Sequence, residues 1–264
     1  MNFENIRFES NDGVAVITLH RPDSLNAFTG DMHVELRQAM DAVEGDASLR
    51  ALVITGEGRA FCSGANLAGV AGEIANGANL DAAAVLDDDY HPLIKRLRAL
   101  PLPVIVAVNG IAAGAGCNFA LVGDIVLAAR SAEFIQVFVR IGVIPDAGGT
   151  FYLPRLIGPA RARALCMLGE PLPAETAAEW GLIWKCVDDE ALMDEAMGLA
   201  KRLATQPTRA IAIMKQALEV SFDNDMADQL DVERDGQVAA FATEDFREGV
   251  TAFIEKRKAV FKGR

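Results

Sequence analysis

Val104-Ile105-Val106-Ala107-Val108-Asn109-Gly110-Ile111-Ala112-Ala113-Gly114-Ala115-Gly116-Cys117 decides the fold class. Its first five residues are apolar with no polar alternation, the pattern of a strand covered on both faces. A glycine-containing turn follows, and then a helical run through Phe119, Ala120 and Leu121. Outward from this unit the pattern recurs. Residues 51–56 and 125–128 are two further buried runs. Residues 14–19 form a β-branched run behind the turn Asn11-Asp12-Gly13, hairpinned to the segment near residues 6–8. Thr29 can cap a helix in which Met32, Leu36, Met40 and Val43 recur on one stripe. Strands alternating with helices make the class α/β.

After about residue 188 the strand signals stop. Helical patterns cover 192–204, the positions Ile211, Met214 and Leu218, the stretch through Leu230 and Val238, and 246–261. We read residues 1–200 as the core and 201–264 as a helical region. That region packs on the α/β part and on neighbouring subunits. Residues 68–89, rich in Ala, Gly, Asn and Asp, read either as a mobile connection over a site or as a solvated acidic surface. Trp180 and Trp184 read as core residues.

Composition narrows the function. The chain has 264 residues, 51% of them apolar and 23% charged, as expected of a globular protein with a sizeable core. Twenty-five Lys and Arg against 37 Asp and Glu leave a formal charge of −12, which argues against nucleic-acid and anionic-membrane partners. His20, His33 and His91 are scattered, and Cys62, Cys117, Cys166 and Cys186 contain no C-x-x-C pair, so no metal site is expected. The thiols read as reduced. Met1-Asn2-Phe3-Glu4 lacks the basic and apolar parts of a signal peptide, and the expected location is cytoplasmic.

Three segments can carry chemistry. Gly58 to Leu67 and Asn109 to Cys117 are glycine-containing turns beside buried strands. Two N–H groups converging from such turns make an oxyanion hole; two tight strand–helix connections are the plainer reading of either turn alone. Neither turn is a phosphate loop, because the Gly-x-x-x-x-Gly-Lys pattern is absent. In the third segment, Ile141-Gly142-Val143-Ile144-Pro145-Asp146-Ala147-Gly148-Gly149-Thr150, one carboxylate sits in an apolar turn. It reads either as a cap for the next helix or as a desolvated acid/base with a raised pKa.

Together these segments resemble the crotonase, or enoyl-CoA hydratase/isomerase, superfamily. The resemblance runs in order through residues 21–27, 60–67, 103–117, 142–150, 178–183, 247–249 and 253–257. It implies a spiral core of ββα turns, a C-terminal helical region used in trimerisation, and a homotrimer or a hexamer built as a dimer of trimers. It implies an acyl-CoA thioester as substrate, with coenzyme A part of that substrate and no separate cofactor. The oxyanion amides would be those of Ala65, after Gly64, and Ala115, between Gly114 and Gly116. Ser24, Leu25, Ala27, Ser63, Asn66 and Leu67 match surfaces that hold the nucleotide and pantetheine. Tyr90 matches the acyl pocket, and Phe253 and Lys256 match contacts that reach a neighbour's coenzyme A.

The resemblance also exposes a departure. Hydratases of the superfamily use two glutamates, at the positions held here by Asn118 and Phe138. Neither residue exchanges protons, so hydration is disfavoured and Asp146 is left as a lone acid/base suited to isomerisation. The expectation is an isomerase, foremost of a thioester bearing a ring epoxide. Δ3,Δ2-enoyl-CoA isomerisation and a generic enzyme of the family are the alternatives.

Overall fold

The computed structural model describes residues 3–77 and 80–264. Ten strands lie among them: β1 (Ile6–Asn11), β2 (Val14–Leu19), β3 (Ala51–Gly56), β4 (Ala60–Cys62), β5 (Val104–Val108), β6 (Ile111–Ala113), β7 (Ile125–Ala129), β8 (Glu133–Ile135), β9 (Pro171–Pro173) and β10 (Lys185–Val187). The helices are α1 (Gly30–Gly45), α2 (Leu67–Ala75), α3 (Ala82–Val85), α4 (His91–Ala99), α5 (Ala115–Ala120), α6 (Gly149–Leu168), α7 (Ala174–Trp180), α8 (Leu192–Ala204), α9 (Thr208–Val220), α10 (Met226–Phe241) and α11 (Glu244–Glu255).

β1 and β2 form an antiparallel hairpin closed by Asp12 and Gly13, both at positive φ. β2 then opens a parallel run, and the larger sheet has the order β1-β2-β3-β5-β7-β10. The smaller sheet, β4-β6-β8-β9, is parallel except at its β9 edge. The chain steps from the larger sheet to the smaller three times, β3 to β4, β5 to β6 and β7 to β8. Each pair leads on to helices. These are the ββα turns of a crotonase fold.

β3 and β5 are buried along their whole length, which is why they carry no polar alternation. α8 packs on β2, β3, β5 and β7. Thr29 caps α1, its Oγ1 accepting from the Met32 amide at 3.2 Å, and Met32, Leu36, Met40 and Val43 are all buried. Truncating Met32, Leu36 or Met40 to Ala costs about 2–5 kcal/mol.

Charge ties the last helices down. Lys215 of α9 donates from Nζ to Asp124 Oδ2 at 2.8 Å and to the Leu102 carbonyl at 3.2 Å, and the same Asp124 oxygen accepts from the Val104 amide at 2.8 Å. Arg50 donates to Thr208 Oγ1 at 2.8 Å and to the Phe261 carbonyl at 2.9 Å. The outward faces of α9 and α10, with Met214, Leu218, Leu230 and Val238, stay exposed in the single chain.

Several expectations need correction. The described residues of 68–89 are largely helical and not a loop, with α2, α3 and a π-helical turn over Leu86–Tyr90 that runs straight into α4, while most of them, Asp87 and Asp88 included, are exposed as the solvated-surface reading has it. Trp184 is 60% exposed, and Trp180 is half-buried under the Arg161 guanidinium. The last helix stops at Glu255, because Lys256 turns left-handed with φ 53°. β4, β6, β8, β9 and β10 carry no strand signal in the sequence; each of the five is three residues long.

Candidate active site

β4 and β6 pair in parallel, with Ala60 opposite Ile111 and Cys62 opposite Ala112. The turns that follow therefore leave the same sheet edge side by side. Gly64 takes φ 93°, and a Cβ there would lie 2.9 Å from the Ala113 carbonyl oxygen and 3.3 Å from the Ala115 nitrogen. A Cβ on Gly116 would sit 2.3 Å from the Cys62 carbonyl oxygen. Only glycine lets the two turns touch.

Two amides are left over at that junction. An isolated parallel bridge joins Phe28 and Ala65: the Phe28 amide donates to the Gly64 carbonyl at 2.8 Å, and the Asn66 amide donates to the Phe28 carbonyl at 3.0 Å. The Ala65 N–H takes no part in this bridge. Ala115 is the first residue of α5, where the helix itself offers no acceptor for its N–H. Its φ is negative, so the methyl group fits without backbone strain.

The 21–27 motif buttresses the first turn. Asn26 is fully buried and donates to the Glu57 carbonyl at 2.9 Å and the Ala60 carbonyl at 2.8 Å. Ser63 donates its amide to the Leu25 carbonyl at 2.9 Å and its hydroxyl to the Ser24 carbonyl at 3.4 Å. Ser24 and Leu25 are thereby brought against Ser63, and Phe28, next to Ala27, against Gly64, Ala65 and Asn66. Leu67 begins α2 and is exposed.

Asp146 stands on the turn before α6. Gly148 occupies the N-cap position and no side chain caps the helix, so Asp146 is not a cap. Its Oδ1 is buried without a hydrogen-bond partner. Burial pushes its pKa up to about 6, against weaker opposing pulls from its own backbone N–H and from His91. The Asp146 carbonyl accepts from the Gly149 amide and from Asn118 Nδ2, both at 2.8 Å. α5 thus carries the Ala115 amide at its first residue and grips the acid's turn from its fourth.

Asn118 is held in turn by Gln136, whose Nε2 donates to Asn118 Oδ1 at 2.8 Å. Phe138 is buried, with its Cζ 3.9 Å from where a Gly114 Cβ would stand. Cys62 and Cys117 are buried thiols pushed up to about 12 by desolvation, which makes them poor nucleophiles. Tyr90 closes the π-helical turn and is also buried.

The profile of the family described as "Enoyl-CoA hydratase/isomerase" matches residues 9–264. The chain belongs to the enoyl-CoA hydratase/isomerase family. It is 48% identical to the 1,2-epoxyphenylacetyl-CoA isomerase of Escherichia coli (strain K12) over 259 residues, 96% of each chain. It is 46% identical to a probable enoyl-CoA hydratase of Rhodobacter capsulatus over the full length of both. Among solved structures, a putative enoyl-CoA hydratase/isomerase from Mycobacterium abscessus superposes with a TM-score of 0.92 at 37% identity, covering 98% of this chain and 100% of that one.

Against this family frame, Phe253 and Lys256 stand apart. α11 packs on α10, Phe253 is 86% exposed, and Lys256 ends the helix. The single chain does not bring them to the two turns. Gln136 escaped the sequence reading, and His33 entered it only as a scattered histidine without metal-ligand spacing. Gln136 is the one amide in the run Phe134-Ile135-Gln136-Val137-Phe138, and an isolated polar residue in an apolar stretch signals a buried hydrogen bond. His33 sits within the buried stripe of α1, 2% exposed, with neither ring nitrogen hydrogen-bonded.

Proposed function

We propose that this family member is an acyl-CoA isomerase. In this reading the thioester oxygen accepts from the Ala65 and Ala115 amides, and each donor lowers the barrier to an enolate-like transition state by about 3–4 kcal/mol. Asp146 takes the proton from the carbon next to the carbonyl and returns it elsewhere on the same molecule. Its desolvated carboxylate, with a pKa of about 6, suits both halves of that exchange near neutral pH. Coenzyme A enters as part of the substrate, and no separate cofactor is invoked.

The observation that carries the reading is the fate of the two positions where hydratases would hold glutamates. Asn118 is engaged on both sides by hydrogen bonds, and Phe138 is buried against the second turn. Adding water needs groups that activate it and protonate carbon, and neither side chain can do so. Similarity to the E. coli isomerase favours a ring-epoxide thioester rearranging to its oxepin. The alternative with the same Asp146 role is Δ3,Δ2-enoyl-CoA isomerisation of an aliphatic chain.

Assembly belongs to this proposal. Ile141, Val143 and Ile144 on the Asp146 segment are exposed in the single chain, Ile144 by 79%. We assign residues 201–264 to a trimer contact that brings Phe253 and Lys256 toward a neighbour's coenzyme A. A cytoplasmic setting fits the free thiols of all four cysteines. No helix among the described residues is long and apolar enough to cross a membrane.

The test offers a 2-enoyl thioester, a 3-enoyl thioester and the aromatic ring epoxide in parallel and follows products by mass. Isomerised products without gain of water are expected, lost in Asp146→Asn. Rapid hydration of the 2-enoyl thioester, or an undiminished Asp146→Asn variant, overturns the reading.

A further inference from the structure

The Tyr90 hydroxyl is unaccounted for. Its residue is 7% exposed, yet the hydroxyl makes no hydrogen bond to the protein among the described residues. It is not one of the sealed, unpartnered polar atoms either, unlike both nitrogens of His33 and Oδ1 of Asp146. The oxygen therefore still meets open space. A hydroxyl that the protein does not claim, on a ring that is itself buried, is a donor available to a group bound in that space.

The ring is firmly placed. It meets the His33 ring edge-on at 4.4 Å and the Phe28 ring at 5.7 Å, and Phe28 in turn meets Phe119 at 5.4 Å. Phe28 bridges to Ala65, so the aromatic cluster is anchored on the first oxyanion turn. Burial, together with the charge of Asp146, keeps the phenol protonated. A protonated hydroxyl can donate.

We propose that Tyr90 selects substrates by donating a hydrogen bond to an ether or hydroxyl oxygen on the acyl group, beyond the carbon that Asp146 deprotonates. This rests on the isomerase reading for the placement of the acyl group. A hydrocarbon acyl chain leaves the donor unpaired, whereas a ring oxygen satisfies it. A site with such a donor discriminates between ligands that differ by one oxygen.

Binding without turnover tests this separately from catalysis. Calorimetric titration compares (2-hydroxyphenyl)acetyl-CoA with phenylacetyl-CoA, on the parent protein and on Tyr90→Phe. The parent is expected to prefer the oxygenated ligand by about tenfold or more, and Tyr90→Phe to lose that preference while keeping its affinity for phenylacetyl-CoA. A preference that survives the substitution, or a parent with none, overturns the proposal. A parallel loss of both affinities also overturns it, because the phenol would then be structural. Neither titration involves proton transfer, so failure of the isomerase assay leaves this contrast readable.

Discussion

Replacing Asp146 by Asn should stabilise the protein at neutral pH while abolishing turnover. The carboxyl of Asp146 is held at about 6, against 3.8 for the unperturbed group, chiefly by burial. The folded state therefore binds its proton more tightly than the unfolded state, and stability falls as pH rises from about 3.8 to about 6. Above that window the full penalty applies, about 3 kcal/mol at pH 7 from a shift of this size; at pH 4 it is about 0.5 kcal/mol. The amide carries no charge and escapes the penalty at both pH values. Left unpaired, it has a cost of its own, but that cost is independent of pH and cancels in the comparison. Urea titrations of both proteins at pH 7 and pH 4, at one protomer concentration, should show the advantage of the Asp146→Asn variant over the parent shrinking by about 2.5 kcal/mol on acidification. An equal difference at the two pH values would show that the carboxylate is well solvated, and the case for Asp146 as a tuned acid/base would go with it.

Other consequences can be checked directly. For isomerisation, kcat/KM should be half-maximal near pH 6 and fall tenfold per pH unit below it, since the free enzyme needs ionised Asp146 to accept a proton; a flat profile down to about pH 4.5 would contradict this. Gly64→Ala places a methyl group 2.9 Å from the Ala113 carbonyl oxygen at φ 93°, so it should lower kcat by about a hundredfold through a displaced oxyanion amide; full activity would separate that turn from catalysis. Lys215→Met should destabilise the chain by about 3 kcal/mol in urea titration, because Asp124 loses its 2.8 Å partner. That is the low end for a buried pair, since Asp124 is only partly shielded and Arg98 still stands 3.7 Å from it.

The long strands and α1 are legible in the sequence because hydrophobic burial writes itself as periodicity. β3 and β5 show no polar alternation because both faces are covered, the one hydroxyl, on Thr55, being spent on the Ala107 carbonyl at 2.8 Å, and Met32, Leu36, Met40 and Val43 mark one helical stripe. β4, β6 and β8 are not legible, since three residues cannot show a period and two of these strands lie inside glycine-containing segments that read as turns. Residues 68–89 mislead for the opposite reason. Ala favours helices, but Gly and Asp mask the signal, and the Asp87-Asp88-Asp89 run reads as solvated although Asp89 pairs with Arg37 at 3.1 Å. Asp146 stands out in the sequence as a lone acid in an apolar turn. Whether it caps α6 is not decided there, because the outcome depends on Ala147 and Gly148 both turning left-handed and putting Gly148 at the cap.

On the proposed reading Asn118 does more than replace a glutamate. An amide is the side chain that can accept from Gln136 through its oxygen and donate to the Asp146 carbonyl through its nitrogen. An ionised carboxylate offers acceptors only. It could satisfy Gln136, but it would face the Asp146 carbonyl oxygen with nothing to donate. Its charge would also push the Asp146 carboxyl higher still, removing the ionised form on which proton abstraction depends. Gly149 tightens the constraint: a Cβ there would stand 2.2 Å from Asn118 Nδ2, so helix α6 is packed onto this amide with no room to retreat. On the isomerase reading, the residue that stands where a hydratase would hold a glutamate is thus the one that fixes the backbone of Asp146. Restoring a glutamate at position 118 alone would unseat Asp146 before it could create a second acid/base, so the route from this site to water addition runs through position 138 and the α6 contact as well.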